Sequence, residues 1–180
     1  NQANLSGADF TECVAAKACF DEALLSDALF EKSDLSHCQF EQATASDCNF
    51  TQANMRECYI HKSKLSKASL NGARLTLSTL ENCDLSDASL DAVDAQGCAV
   101  LECSLDKARA GEKSNFTQAE FSGGSGLGLI IEGADLTGAV FTNIALQGAD
   151  FSNTNLHGTV FNHCDMKKAE FTKAQLTDTK

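Results

Sequence analysis

The sequence predicts an all-β solenoid with four sides, a chain that turns every fifth residue and stacks on itself every twenty. Three observations carry that expectation: bulky residues recur at intervals of five, a small residue sits two places before each of them, and residue types recur at twenty. The run ADFSNTNLHGTVFNHCDMKKAEF shows the first, with Phe151, Leu156, Phe161, Met166 and Phe171 evenly spaced. A step of five advances about 140° round an α-helix, so no apolar stripe forms. In a flat strand an odd step sends successive bulky groups to opposite faces. Only a path that itself turns in every pentad buries all of them against one core.

Calling each bulky place a centre, centres run from Leu5 to Ala110 and resume one residue late, from Phe116 to Leu176. Thirty of the thirty-five are Leu, Phe, Met, Ile or Val, and all eleven phenylalanines lie on centres. Two residues earlier the chain is Ala, Cys, Ser, Thr, Gly or Val at every centre except two, where Leu129 and Ile144 stand. One large and one small inward place per pentad suit a thin column of interleaved side chains. Repetition at a short fixed period over the whole chain is the mark of a solenoid. Gly7, Gly72, Gly97, Gly128 and Gly158 are among nine glycines lying two residues after a centre. A type II turn requires positive φ there.

Four sides follow from the recurrences at twenty. Ser6, Ser26, Ser46, Ser66 and Ser86 repeat at that spacing, and ten of the eleven phenylalanines fall on every second centre. On a square coil those ten occupy opposite sides, with Phe10, Phe30 and Phe50 in one column and Phe121, Phe141 and Phe161 in another. The serines are expected at turns, their hydroxyls bonding the local backbone.

Runs such as NQANLSGADF, DCNFTQANM and EGADLTGAVF resemble those of the bacterial pentapeptide-repeat proteins. The resemblance covers essentially all of residues 1–180. It implies a right-handed, four-sided parallel β-helix of about nine coils of twenty residues, making one solenoid over the whole chain. Two departures are expected to mark it: a one-residue register break near 110–116 (RAGEKSNF) and a weak, glycine-rich coil at 123–131 (GGSGLGLII). If the frame holds through the second, Leu127 and Ile130 point outward as a contact patch; the alternative is a loosened coil that tucks them in.

Composition narrows the function. The chain has 25 acids against 14 lysines and arginines, a net charge of −11. Direct nucleic-acid binding and adhesion to anionic membranes are disfavoured, because both need the opposite sign. No apolar run has the length of a membrane span. The first residues do not resemble a signal peptide and there is no initiator methionine, which reads as a piece of a longer protein. Eight of nine cysteines (Cys13, Cys38, Cys48, Cys58, Cys83, Cys98, Cys103 and Cys164) occupy the small inward place and swap for alanine, so they read as buried reduced thiols in a cytoplasmic setting. His163 beside Cys164 and His37 beside Cys38 point opposite ways in the frame, which argues against a metal site. No phosphate loop or nucleophile motif is present, and a narrow interior leaves no substrate pocket. No enzyme activity, cofactor or metal is expected.

Partner-binding residues are sought on the outer columns. The column Cys19, Gln39, Tyr59, Thr79, Ala99, Glu120, Val140, Val160 is the least polar, and Asp21, Glu22, Glu41, Glu81 and Glu102 lie near it. It reads as a partner-facing strip or as a solvated face with scattered acids. A basic belt of Arg56, Lys62, Lys64, Lys67 and Arg74 interrupts the acidic surface. The first functional expectation is a rigid protein-interaction scaffold, alone or as a module of a larger, secreted effector, with end-to-end or flanking-domain contacts. The alternative comes from the resemblance, whose quinolone-resistance branch binds type II topoisomerases as a surrogate for DNA, making gyrase the partner.

Overall fold

The architecture is described for residues 2–180 of a computed structural model. In each pentad three extended residues place the small residue and the centre inward and the residue between them outward. Ala23 and Leu25 are buried, for example, while Leu24 between them is exposed. A turn follows every centre, and on three of the four sides the N–H three residues on mostly donates to the centre's carbonyl, as Ala8 to Leu5 (3.0 Å) and Ala28 to Leu25 (2.9 Å). The second turn residue has positive φ, +66° at Gly7 but also +57° at Glu12 and +64° at Lys17. The residue before the centre is often Asp or Asn because its carboxyl or amide oxygen accepts the N–H two residues on. Asp9 takes that of Thr11 at 2.9 Å and Asp150 that of Ser152 at 2.8 Å.

Successive coils pair in parallel along four ladders, which begin Asn4↔Leu24, Asp9↔Leu29, Val14↔Asp34 and Cys19↔Gln39. These define the first to fourth sides of a four-sided parallel β-helix. Three sides pair through one residue per coil. The fourth alone carries three-residue strands: β1 (Gln39–Glu41), β2 (Tyr59–His61), β3 (Thr79–Glu81), β4 (Ala99–Leu101), β5 (Glu120–Ser122), β6 (Val140–Thr142) and β7 (Val160–Asn162). They form one parallel sheet in chain order. Seven strands span six turns of this sheet, whereas the first-side ladder passes through nine coils from Asn4 to Asp165. On the fourth side the first coil joins its neighbour only through the single bridge Cys19↔Gln39.

The interval between partners lengthens by one residue from Ser89↔Arg109 to Asp94↔Asn115 and returns by Asn115↔Asp135. Gly111 is the extra residue. It moves the turn one place along, so that Ser114 N–H closes on the Gly111 carbonyl (3.2 Å) with Lys113 at φ +73°. Through the glycine-rich coil the frame holds, Gly126 N–H donating to Ala145 (2.7 Å) and Leu129 N–H to Gly126 (3.2 Å). Large and small have exchanged places there. Leu129 is buried beside Gly126, whose missing Cβ would lie 3.4 Å from Leu129 and 3.1 Å from Leu146.

Phenylalanines stack up the second and fourth sides and meet edge-on across the axis. Phe10, Phe30 and Phe50 stack at 4.8 and 5.2 Å, Phe121, Phe141 and Phe161 at 4.6 and 4.9 Å. Phe141 meets Phe151 at 6.0 Å and 89°. Between Phe50 and Phe116 the column is aliphatic, and an apolar void of about 20 Å³ remains among Leu80, Leu90, Ala95, Val100 and Phe116. Hydroxyls of the serine column depart from the expected local bonding. Ser46 and Ser66 bond each other between coils at 3.0 Å, because the twenty-residue stacking brings like side chains closer than the backbone does, and Ser86 bonds Ser104 of the next coil at 2.9 Å.

Candidate functional site

The nine thiols are all free. Six are buried, Cys13 and Cys164 at the ends are half-buried, and Cys19 is exposed. Burial pushes the thiols of Cys48, Cys58 and Cys98 up to about 12 and that of Cys38 to about 11. The Cys48 thiol donates to the Leu25 carbonyl at 2.8 Å, a bond that its thiolate would forfeit. A folded pKa raised above the 9.0 of the free thiol gives stability that is intact below about 9 and lost as pH rises toward 11–12. Two results are therefore expected. At pH 8 iodoacetamide labels Cys19 in the native protein while Cys48, Cys58 and Cys98 stay unlabelled until it unfolds, as read by peptide mass spectrometry. Urea midpoints fall between pH 9 and 11, and a flat profile would show that these thiols are not held neutral by the fold.

The interior void is apolar and closed to a substrate. At the inserted Gly111, a polar cleft of about 170 Å³ lies among Asp91, Arg109, Glu112, Ile130 and Glu132. Beside the last coil, Phe161, Met166, Phe171 and Leu176 line an open apolar depression of about 330 Å³. No cluster of three metal-ligating side chains forms among the described residues, and no helix there is long and apolar enough to cross a membrane.

The candidate strip falls on the sheet. Tyr59, Val140 and Val160 are the outward first residues of β2, β6 and β7. Glu41 and Glu81 are the third residues of β1 and β3, and Asp21 holds the equivalent place one coil earlier, its carboxylate accepting the Glu41 N–H at 2.9 Å. Glu22 and Glu102 stand one residue further, on the positive-φ corner. Leu127 is exposed at a corner of the first side, while Ile130 lies on the second side against the Gly111 cleft. The structure thus gathers eight of the ten candidates on one face and leaves Leu127 and Ile130 apart from it.

That face has its own electrostatic character. In the coils from Cys19 to Gly123 it presents Asp21, Glu22, Glu41, Glu81, Glu102 and Glu120, with Lys62 as its one lysine or arginine. Over the same coils the first side carries Lys64, Lys67 and Lys107, the second Lys32, Arg109 and Lys113, the third Arg56 and Arg74. The basic belt is therefore spread round the rod and contributes only Lys62 here. Inside the acidic field lies an aromatic pair. Tyr59 stacks on His61 with centroids 5.7 Å apart and donates its hydroxyl to Glu81 at 3.1 Å, while His61 Nδ1 is 3.7 Å from a Glu41 oxygen. His61 and Leu101, outward neighbours in this sheet, were missed by the sequence reading. The signal was their place in the twenty-residue column of Glu41 and Glu81.

A family model described as pentapeptide repeats matches in eight copies, over residues 1–27, 23–60, 33–72, 68–105 and 144–180. No curated protein sequence matches the chain. Among solved structures, HetL, a pentapeptide repeat protein involved in heterocyst differentiation regulation from the cyanobacterium Nostoc sp. strain PCC 7120, is 23% identical. The match covers 99% of this chain and 87% of that one, with a TM-score of 0.61. A trypsin-treated form of QnrB1, a plasmid-mediated fluoroquinolone resistance protein, is 14% identical over 97% of this chain and 83% of its own, with a TM-score of 0.60. At these identities the likeness is one of fold.

Proposed function

The chain belongs to the pentapeptide-repeat family, and from that premise we propose that it is a non-enzymatic, rigid scaffold that docks a protein partner on its fourth side. The observation that carries this is the coincidence, on that side alone, of unbroken strand pairing, an exposed aromatic residue and charge of nearly one sign. A flat, pre-ordered sheet loses little conformational entropy on binding. Exposed aromatics are over-represented among residues that anchor interfaces. Photo-crosslinking in the native host tests it. A crosslinking side chain at Tyr59 is expected to capture a discrete protein, whereas one at Asn71 on the opposite side captures none. Equal capture from both positions, or none from Tyr59, would sink the reading.

A net charge of −11 favours a second reading, that of a DNA surrogate for a type II topoisomerase. Its test is a gyrase supercoiling assay at two salt concentrations. Salt-sensitive inhibition that linear DNA competes away would move this reading to first place, and no effect at micromolar protein removes it. It ranks second because Arg56, Lys62, Lys64, Lys67 and Arg74 interrupt the acidic surface on three of the four sides.

A further inference from the structure

The fourth side also specifies what kind of segment fits it, an inference that rests on the docking reading above. We propose that the stretch from Glu41 to Glu102 receives a cationic amphipathic α-helix of a partner protein, lying along the rod axis. Charge complementarity is the first reason. Acids face solvent here with little internal neutralisation: His61 approaches Glu41, Tyr59 donates to Glu81, and Glu102 makes no ion pair among the described residues. A partner lysine or arginine therefore meets carboxylates that are not already committed to cations of this chain.

Spacing is the second reason. Strand register places Glu41, His61, Glu81 and Leu101 on consecutive coils, with Glu102 beside Leu101. At ~4.8 Å per parallel strand, Glu81 and Glu102 lie roughly 9.6 and 14.4 Å along the axis from Glu41. Helix residues at i+7 and i+10 lie ~10.5 and ~15 Å from residue i, and all three share one face. The coil between Glu41 and Glu81 presents Tyr59, 40% exposed, where the helix offers i+3 and i+4. The matching pattern is basic at i, i+7 and i+10, with an aliphatic residue at i+3 or i+4. An extended strand fits poorly, since its same-face residues repeat every ~6.6 Å and drift from the coil spacing.

The test uses the full chain and two fluorescein-labelled, helix-stabilised peptides of one composition. In the first, lysines stand at i, i+7 and i+10 and leucines at i+3 and i+4; in the second, the same residues are scattered round the helix. Anisotropy titrations at physiological salt are expected to show the patterned peptide binding about tenfold more tightly. Glu41→Gln/Glu81→Gln/Glu102→Gln should weaken it by a similar factor. Asp27→Asn/Asp47→Asn/Asp87→Asn, an equal charge change on exposed corners of the first side, should change it less than about twofold. Equal binding of the two peptides, or equal loss in the two triple variants, shows general charge attraction and overturns the helix. No peptide binding alongside capture of a protein from Tyr59 also overturns it, yet leaves the docking face standing. Failure of both experiments removes the face as well.

Discussion

Phe141→Ala is expected to lower the unfolding free energy by about 3–5 kcal/mol, most of the margin of a small protein. The ring is fully buried between Phe121 and Phe161, within 15° of parallel to each, and meets Phe151 edge-on. Truncation removes both stacking contacts and leaves a void that rigidly hydrogen-bonded coils on either side cannot collapse to fill. Phe141→Leu should cost only about 1–1.5 kcal/mol, because aliphatic residues such as Ile60 and Leu80 already serve in the same column. A solenoid is held together by nearest-neighbour contacts, so the damage should be local in space. Hydrogen exchange is therefore expected to show the amides from Leu146 onward losing protection in Phe141→Ala while those around Phe30 and Phe50 keep theirs. Equal loss along the whole rod would show that the coils unfold as a single unit and that the column does not act locally.

The aromatic columns were legible in the sequence because a twenty-residue period converts residue number directly into height along the axis. Phe10, Phe30 and Phe50 needed only the period and the count of sides to be stacked correctly. Glycine two places after a centre was legible as a positive-φ position for the same reason. What the composition hid is that every turn takes this conformation, including those at Lys17 and His37. Their backbone N–H groups donate to Ser36 and Arg56 of the next coil at 2.8 and 2.9 Å, and that pairing outweighs the preference of a single residue. The exchange of Gly126 and Leu129 looked like a broken coil because a linear pattern scores each place separately, whereas packing conserves their summed volume.

The functional face was legible only in part. Its less polar column could be picked out, but nothing in the three residues Gln39–Glu41 announces that the fourth side carries continuous strands while the other three do not. The basic belt illustrates the converse. Arg56, Lys62, Lys64, Lys67 and Arg74 are neighbours in sequence, yet five steps of chain carry a residue to the next side. Charges that cluster along the chain therefore disperse round the rod, and charges one or more whole coils apart, such as Glu41, Glu81 and Glu102, gather on one face. In this fold, proximity in sequence measures position round the axis and periodic recurrence measures contact.

Gly124→Ala is expected to be more damaging than a one-methyl change ordinarily is, at about 3 kcal/mol or more. An added Cβ would sit 2.0 Å from the Cys103 carbonyl oxygen and 2.7 Å from its nitrogen. Both are backbone atoms, so no rotamer change relieves the overlap. That carbonyl also accepts the Ser125 N–H at 3.0 Å, and moving it away would break the ladder of the first side. The φ of +70° adds strain of its own. Gly128→Ala isolates the conformational part, since φ is +64° there and a Cβ would meet nothing within 4 Å. Its cost should be roughly 1 kcal/mol. Urea unfolding of the two variants separates steric overlap from backbone preference by difference. If Gly124→Ala proved no worse than Gly128→Ala, the close approach of the coils at Cys103 would be wrong, and with it the reason this coil is rich in glycine.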